Sequence, residues 1–328
     1  MIKNNKFYIP RLKNVILVGY SAYYDQIEKI NKKLNLNTIK ISTPSYKKNF
    51  KLKDKVNFFK KIDKKFILFL KKITNYKDTI FFSFGSRWIF KKNQIDKIFY
   101  NNIINYHGSR LPLDAGGGGF SWRIMRGDRL GANLAHLVSD KIDSGPIIQY
   151  EEYIFPHYCQ KPTEYEEFYR LKFIPFYKKL ITNLKNKKRF KLVYSNQSLG
   201  RYNPRLKTKI NGWIDWNWKS NDIFNFINAF DDPYDGASTT VNNKYKVFIK
   251  KVHLHRGEIS SHPFSRGIVI RKNKNWLVVS LGDENNLLVE IVLDSKKKNI
   301  LNKIKLGDRF FTDKKYLQKS LSFRPTYK

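Results

Sequence analysis

The sequence contains one cysteine, Cys159. A single thiol excludes an internal disulfide framework and a four-cysteine zinc site. Acidic residues are scarce as well: 27 Asp and Glu stand against 64 Lys and Arg, for a formal net charge of +37. Long apolar runs are missing. The longest, Phe66–Leu70 and Thr79–Phe84, fall far short of the roughly 20 residues that cross a bilayer. The first residues, Met1 to Leu12, are polar and include Pro10, so no apolar signal core is visible. These absences point to a cytoplasmic protein. Its chemistry must come from His, Asp, Asn, Ser or a bound cofactor.

The charge has two readings. One is a polyanionic partner such as nucleic acid, an acidic membrane surface or a phosphorylated substrate. The other is compositional drift. Only 15 of the 64 basic residues are Arg, and the lysines run the whole length beside heavy use of Asn, Ile, Phe and Tyr. Scattered lysine attracts anions without selecting one. With 328 residues, 41% of them hydrophobic and 16% aromatic, the chain can bury a core and suits two domains.

Asn14–Tyr20 reads as a β-branched strand ending in glycine, followed by helical spacing over Tyr23–Leu36. Leu36–Ser42, Asp78–Phe84, Ile103–Tyr106, Gly131–Val138 and Ile147–Ile154 read as further strands. Phe58–Ile73 and Thr163–Leu184 read as helices, the second with a kink expected near Ile174 because of Pro175. The basic run Lys185–Lys191 reads as a solvated helix end. Strands alternating with helices predict an α/β fold with a Rossmann-like, mostly parallel sheet. After a connector at Ser195–Leu206 and a short helix at Ile223–Ala229, the texture turns to β. The segments Ala237–Val241, Tyr245–Leu254, Gly267–Arg271, Trp276–Leu281 and Leu287–Leu293 predict a smaller barrel of the oligonucleotide/oligosaccharide-binding (OB-like) type. The expected division is 1–205 and 206–328.

The candidate chemistry lies between Ser83 and Gly145. Residues two apart on a strand share a face, so Asn105 and His107 project together near a strand's carboxyl end, where open α/β sheets form ligand crevices. Asp140 and Asp143 sit in a turn closed by Gly145-Pro146, within reach of a neighbouring strand end. Asn, His and Asp form a coherent acyl-transfer set. The amide can bind a developing oxyanion, the imidazole can move a proton near neutral pH, and the carboxylate can orient the ring or take a proton from an attacking amine. The spacing alone is equally that of a hydrogen-bonded structural histidine. Gly116, Gly117, Gly118 and Gly119 form neither a dinucleotide fingerprint nor a P-loop. They read either as a loop giving a ligand close backbone access or as a plain surface loop. Trp213, Trp216 and Trp218 read as barrel packing, His253 and His255 as surface residues rather than a metal site, and His136 as a packed or supporting residue.

The run Asn105-Tyr106-His107-Gly108-Ser109-Arg110-Leu111-Pro112, then Phe120-Ser121-Trp122, then Asp143-Ser144-Gly145-Pro146-Ile147, resembles the formyltetrahydrofolate-dependent formyltransferases. Within that family it is most similar to the sugar N-formyltransferases of the UDP-aminoarabinose type and is related to the methionyl-tRNA enzymes. Gly200–Arg205, Ile214-Asp215-Trp216 and Ala229–Ala237 extend the resemblance into the second domain. By residue, it implies a catalytic trio of Asn105, His107 and Asp143. It implies folate contacts at Phe84, Gly85, Ser86, Arg87 and Trp88 and at Asp140, Lys141 and Ile142, with acceptor contacts at Ser109, Arg110 and the four glycines. The implied donor is N10-formyltetrahydrofolate, with no metal. The implied acceptor is the primary amine of a nucleotide-linked aminosugar, on a homodimeric enzyme. Methionyl-tRNA is the less favoured acceptor, because Ser42–Lys48 does not resemble the Pro-Asp-Arg-rich loop of the tRNA enzymes. A non-catalytic nucleic-acid-binding relative is the remaining alternative. Asp114, Ala115 and the glycines depart from the family's usual Arg-Gly after Leu-Pro, which bears on the acceptor pocket.

Overall fold

A computed structural model describes residues 2–323 apart from 4, 76 and 118. The chain divides into two units. The first comprises Met1–Gly116, Gly131–Tyr153 and Tyr169–Tyr202; the second comprises Gly117–Leu130, Ile154–Phe168 and Asn203–Lys328. The last segment of the second unit begins at Asn203, and two shorter segments earlier in the chain belong to it as well.

The first unit is built on a seven-stranded sheet. Its strands are β1 (Asn14–Gly19), β2 (Asn37–Ser42), β3 (Val56–Phe58), β4 (Thr79–Phe84), β5 (Ile103–His107), β6 (Leu130–Leu137) and β7 (Ile147–Ile154), in the spatial order β7-β6-β5-β4-β1-β2-β3. The pairs from β3 through β5 are parallel, and β6 runs antiparallel to β5. Parallel strands are covered on both faces, so they read as unbroken apolar runs; all six residues of β4 are buried. One face packs on the helix Tyr24–Lys33 and on Phe173, Phe176, Tyr177 and Leu180 of the long helix Pro162–Lys185. That helix runs on through Pro175. The other face packs on Phe66 and Leu70 of the helix Lys64–Ile73 and on Ile95 of the short helix Lys92–Lys97.

Two expected elements shift. Phe58 ends a short edge strand, and the helix after it starts only at Lys64, where the Asp63 carboxylate accepts from the Phe66 backbone N–H at 3.1 Å as its cap. The basic run also leaves its helix at Lys185. Phe190 is buried, and Phe190–Lys191 pairs antiparallel with Lys6–Phe7.

In the second unit, a six-stranded antiparallel sheet orders Val269–Lys272, Leu277–Ser280, Asn286–Leu293, Tyr245–His255, Ala237–Val241 and Phe310–Phe311. It curls until its edges meet. Ile268 bridges Arg309, and the Phe310 N–H donates to the Gly267 carbonyl at 2.8 Å. Gly267 has φ +80°, and a Cβ there would stand 2.1 Å from the Phe310 carbonyl oxygen, so this seam requires glycine. Trp216 stacks on Phe310 and donates its indole N–H to Thr239 Oγ1 at 3.0 Å, as core packing should. His253 and His255 face Glu290 and Glu258. Among the described residues, no helix is long and apolar enough to cross a membrane.

One glycine positions the first unit's candidate site. A Cβ at Gly145 would lie 1.7 Å from the Leu137 carbonyl oxygen, because the segment after β6 folds straight back on the strand it has left. The Leu137 N–H seals this contact on the Pro146 carbonyl at 2.9 Å. Replacing Gly145 with Ala should therefore lower unfolding stability by about 2 kcal/mol, read as a drop in the urea midpoint at unchanged slope. An unchanged midpoint would show that the loop closes without this contact.

Candidate active site

Antiparallel register sets the first distance. Asn105 on β5 lies opposite His136 on β6, and His107 lies opposite Leu134. The side chains of Asn105 and His136 therefore meet, Nδ2 to Nε2, at 3.1 Å. The other ring nitrogen of His136, Nδ1, stands 2.9 Å from the Leu137 carbonyl oxygen. A carbonyl only accepts, so Nδ1 carries the proton. In the neutral ring, Nε2 is then the acceptor, and Asn105 must present its NH2 group rather than its oxygen. His136 is 2% exposed. Burial, reinforced by the nearby His107, pushes its pKa down from 6.5 to about 4, which keeps the ring neutral. Its other neighbours, the Leu137 carbonyl and Asp143, pull the other way and are outweighed.

Asp143 enters from the loop that Gly145 closes. Its φ is +52°, a left-handed conformation that Asp tolerates better than most residues. One oxygen, Oδ1, lies 3.8 Å from His107 Nδ1 and 3.9 Å from His136 Nε2. The opposite nitrogen of His107, Nε2, is 3.4 Å from the Asp114 carbonyl oxygen. Both nitrogens of His107 thus have an oxygen within 4 Å, the Asp143 carboxylate on one side and the Asp114 carbonyl on the other. The three side chains named from the sequence thus converge, and His136 binds the first of them.

The other expected contacts divide. The Ser109 hydroxyl is buried and donates to the same Asp114 carbonyl at 2.9 Å, so it is engaged internally. Arg110 points Nε and Nη2 at the Asp114 carboxylate, each at 3.4 Å. Phe84 is buried in the core, stacked on Tyr106 with ring centres 5.0 Å apart. The Trp88 indole packs edge-on against Phe66 and donates to the Lys60 carbonyl at 3.3 Å. Gly85 and Arg87 are exposed, and the Ser86 hydroxyl accepts from the Trp88 N–H at 3.2 Å. Asp140, Lys141 and Ile142 form an exposed loop tip, held by Ser139 and Ser144, whose hydroxyls are 2.8 Å apart. Gly116 has φ +101° and Gly119 opens the helix Gly119–Met125. The unit boundary falls between Gly116 and Gly117. Gly118 lies outside the described residues.

Two participants are not legible in the sequence. Asp114 acts through its backbone carbonyl, which carries no residue signature. Tyr46 donates its hydroxyl to the Gly85 carbonyl at 2.9 Å, while Arg87 stands over its ring at 4.7 Å. Only the short 3-10 turn Pro44–Asn49 brings it there. Among the described residues, no group of three His, Cys, Asp or Glu could hold a metal ion.

Comparison with known proteins points to the formyl transferases. Residues 207–304 match the C-terminal domain of the formyl transferases. The methionyl-tRNA formyltransferase of Mycoplasma capricolum is 28% identical over 232 residues, covering 67% of this chain and 71% of that protein. The bifunctional polymyxin resistance protein ArnA of Wigglesworthia glossinidia brevipalpis is 30% identical over 263 residues, covering 78% of this chain and 37% of that protein. Among solved structures, the sugar 3N-formyltransferase WlaRD has a TM-score of 0.63 at 19% identity, covering 85% of this chain and 98% of that one. The Helicobacter canadensis N-formyltransferase, solved with folinic acid and dTDP-3-aminofucose, has a TM-score of 0.61 at 18% identity, covering 85% and 99%. These two show the shared fold. With the matched domain, the curated relatives and the fold in agreement, the chain is a formyltransferase enzyme, and its residues 207–304 form the C-terminal domain of the formyl transferases.

Proposed function

We propose that the enzyme moves a formyl group from N10-formyltetrahydrofolate to the primary amine of a nucleotide-linked aminosugar, using Asn105, His107 and Asp143. The observation that carries this reading is the orientation of Asn105. His136 takes one of its two amide hydrogens, and the other has no partner among the described residues. As the amine bonds to the formyl carbon, negative charge gathers on the formyl oxygen. Asn105 donates its remaining N–H to that oxygen, and the protonated His107 ring adds a second donor. An amide already held in place needs no reorientation as the charge develops. Asp143 steadies the His107 ring and takes the proton that the amine loses. His107 supplies from Nε2 the proton with which the donor's nitrogen leaves; Asp143 then releases the amine's proton to water, and the ring takes one back from water at Nε2.

Several exposed groups suit the folate. Arg87 and Lys141 offer cations to the carboxylates of its glutamyl end, and Ile89 and Ile142, exposed by 64% and 67%, offer apolar surface to its rings. On the acceptor side, the Arg110 guanidinium suits a diphosphate, at the cost of part of its contact with Asp114. The tRNA reading rests on the +37 charge and on the mycoplasma relative. Against it stands the turn at Pro44–Asn49, which does not resemble the Pro-Asp-Arg-rich loop that the tRNA enzymes carry there. By the same resemblance, the active form is a homodimer.

Mass spectrometry of the protein incubated with N10-formyltetrahydrofolate, a panel of nucleotide-linked aminosugars and, in parallel, initiator methionyl-tRNA should find one sugar heavier by a formyl group. Formylated tRNA with no sugar product would overturn the acceptor. His107→Ala should slow turnover by about 10²- to 10⁴-fold with the fold retained, and a fully active variant would remove His107 from the mechanism.

The His136 environment predicts a pH effect on stability. The unfolded chain protonates this ring near 6.5 and the folded one near 4, so the stability it contributes is complete above 6.5. It should be lost as pH falls toward 4, by at most about 1.4 kcal/mol per pH unit. In urea titrations, His136→Gln should flatten this part of the profile relative to the unaltered protein. Parallel profiles would show that His136 is not buried neutral.

A further inference from the structure

The second unit holds a cavity that the proposed chemistry does not use. Its volume is about 440 Å³, within the range of roughly 300–1,000 Å³ typical of small-molecule sites. Its walls come from three stretches of that unit: the helix Gly119–Met125, residues 204–226 and the helix Lys314–Ser322 with its end. Trp122, Trp213 and Trp218 are its largest wall residues, and each is held. The Trp122 indole N–H donates to the Pro204 carbonyl at 2.7 Å. Trp213 lies face to face on Tyr316, with ring centres 4.1 Å apart. Trp218 packs edge-on against Phe226 at 4.9 Å. The Asn211 amide donates to the Ser320 carbonyl at 3.0 Å and ties the C-terminal helix to the opposite wall. The cavity is therefore preformed.

Carboxylates outnumber cations in its lining, the reverse of the chain as a whole. The lining carries two carboxylates, Asp215 and Asp222, and one guanidinium, Arg205, and Lys207 Nζ stands 5.0 Å from the ring centre of Phe323, another wall residue. Asp215 uses one oxygen, Oδ1, to accept from the N–H and Nδ2 of Asn217, at 2.9 and 3.1 Å. Its second oxygen has no partner among the described residues. Asp222 lies in the first turn of the helix Ser220–Ala229 and has no ion pair among them. The aromatic wall already accepts a cation, since Lys246 Nζ sits 4.5 Å from the Trp213 ring centre. Indoles beside unpaired carboxylates select a positive group on an apolar body. An anion would meet the two carboxylates, and a purely apolar ligand would gain nothing from them.

We propose that this cavity binds a small organic amine, with one ammonium group paired to Asp215 and Asp222 and an apolar or aromatic body against the indoles. The site is distinct from the formyl-transfer residues, and its test does not depend on their activity. Three probes of similar shape separate the possibilities: phenethylamine, 2-phenylethanol and 3-phenylpropionate. They are titrated into the protein by calorimetry and by tryptophan fluorescence. Phenethylamine should bind saturably and at least about tenfold more tightly than the alcohol, the equivalent of one desolvated charge-assisted contact, with the carboxylate weakest. Asp215→Asn together with Asp222→Asn should bring the amine to the level of the alcohol while the thermal midpoint stays in place. Equal binding of amine and alcohol, preference for the anion, or no saturable binding would each overturn the proposal. If the double variant does not fold, the ranking of the three probes on the unaltered protein decides alone.

Discussion

The first unit's candidate site depends on one neutral imidazole. His136 is engaged at both ring nitrogens, donating from Nδ1 to the Leu137 carbonyl and accepting at Nε2 from Asn105. A second proton on this ring would set Nε2–H against the Asn105 NH2 group, donor against donor, inside a buried pocket. Burial makes that state costly, and the same burial fixes which atoms Asn105 turns outward. The amide thus acquires a direction before any substrate arrives. Stabilising a developing negative charge requires donors that are already aimed.

The fold supplies this arrangement through a change in strand direction. From β3 to β5 the sheet is parallel, and helices cover both of its faces. At β6 the direction reverses, which brings His136 directly opposite Asn105. It also lets the loop after β6 return over the same strand, with Gly145 pressed on Leu137 and Asp143 delivered between the two histidines. Asp114 closes the other side with a single carbonyl shared by His107 and Ser109. In the second unit, a comparable close approach at Gly267 joins the edges of the barrel. In both places a glycine allows backbone to meet backbone where a methyl group would not fit.

Much of this is legible in the sequence because it is local. The apolar runs of β1 and β4, the two-residue spacing of Asn105 and His107, and the turn carrying Asp143 need only short-range rules. What is not legible arises from pairing at a distance. Nothing near His136 announces that it will face a residue 31 positions earlier, and a backbone carbonyl such as that of Asp114 has no side-chain signature. Ser109 and Phe84 illustrate the converse. Each lies inside a recognisable motif, yet one hydroxyl is spent on Asp114 and one ring on core packing. The start of the helix at Lys64 rather than Phe58 has a simpler cause. Asp63 caps it, while the apolar residues before the cap belong to an edge strand.

The most direct test of this account is the protonation state of the His136 ring, read by nitrogen-15 NMR of the imidazole side chains across the acid range. The account predicts a neutral ring with its proton on Nδ1 and a bare Nε2, persisting well below pH 6. A proton on Nε2 in the neutral ring, or a ring already charged near pH 6.5, would contradict it. Either result would leave Asn105 without a fixed direction and the proposed mechanism without its first donor.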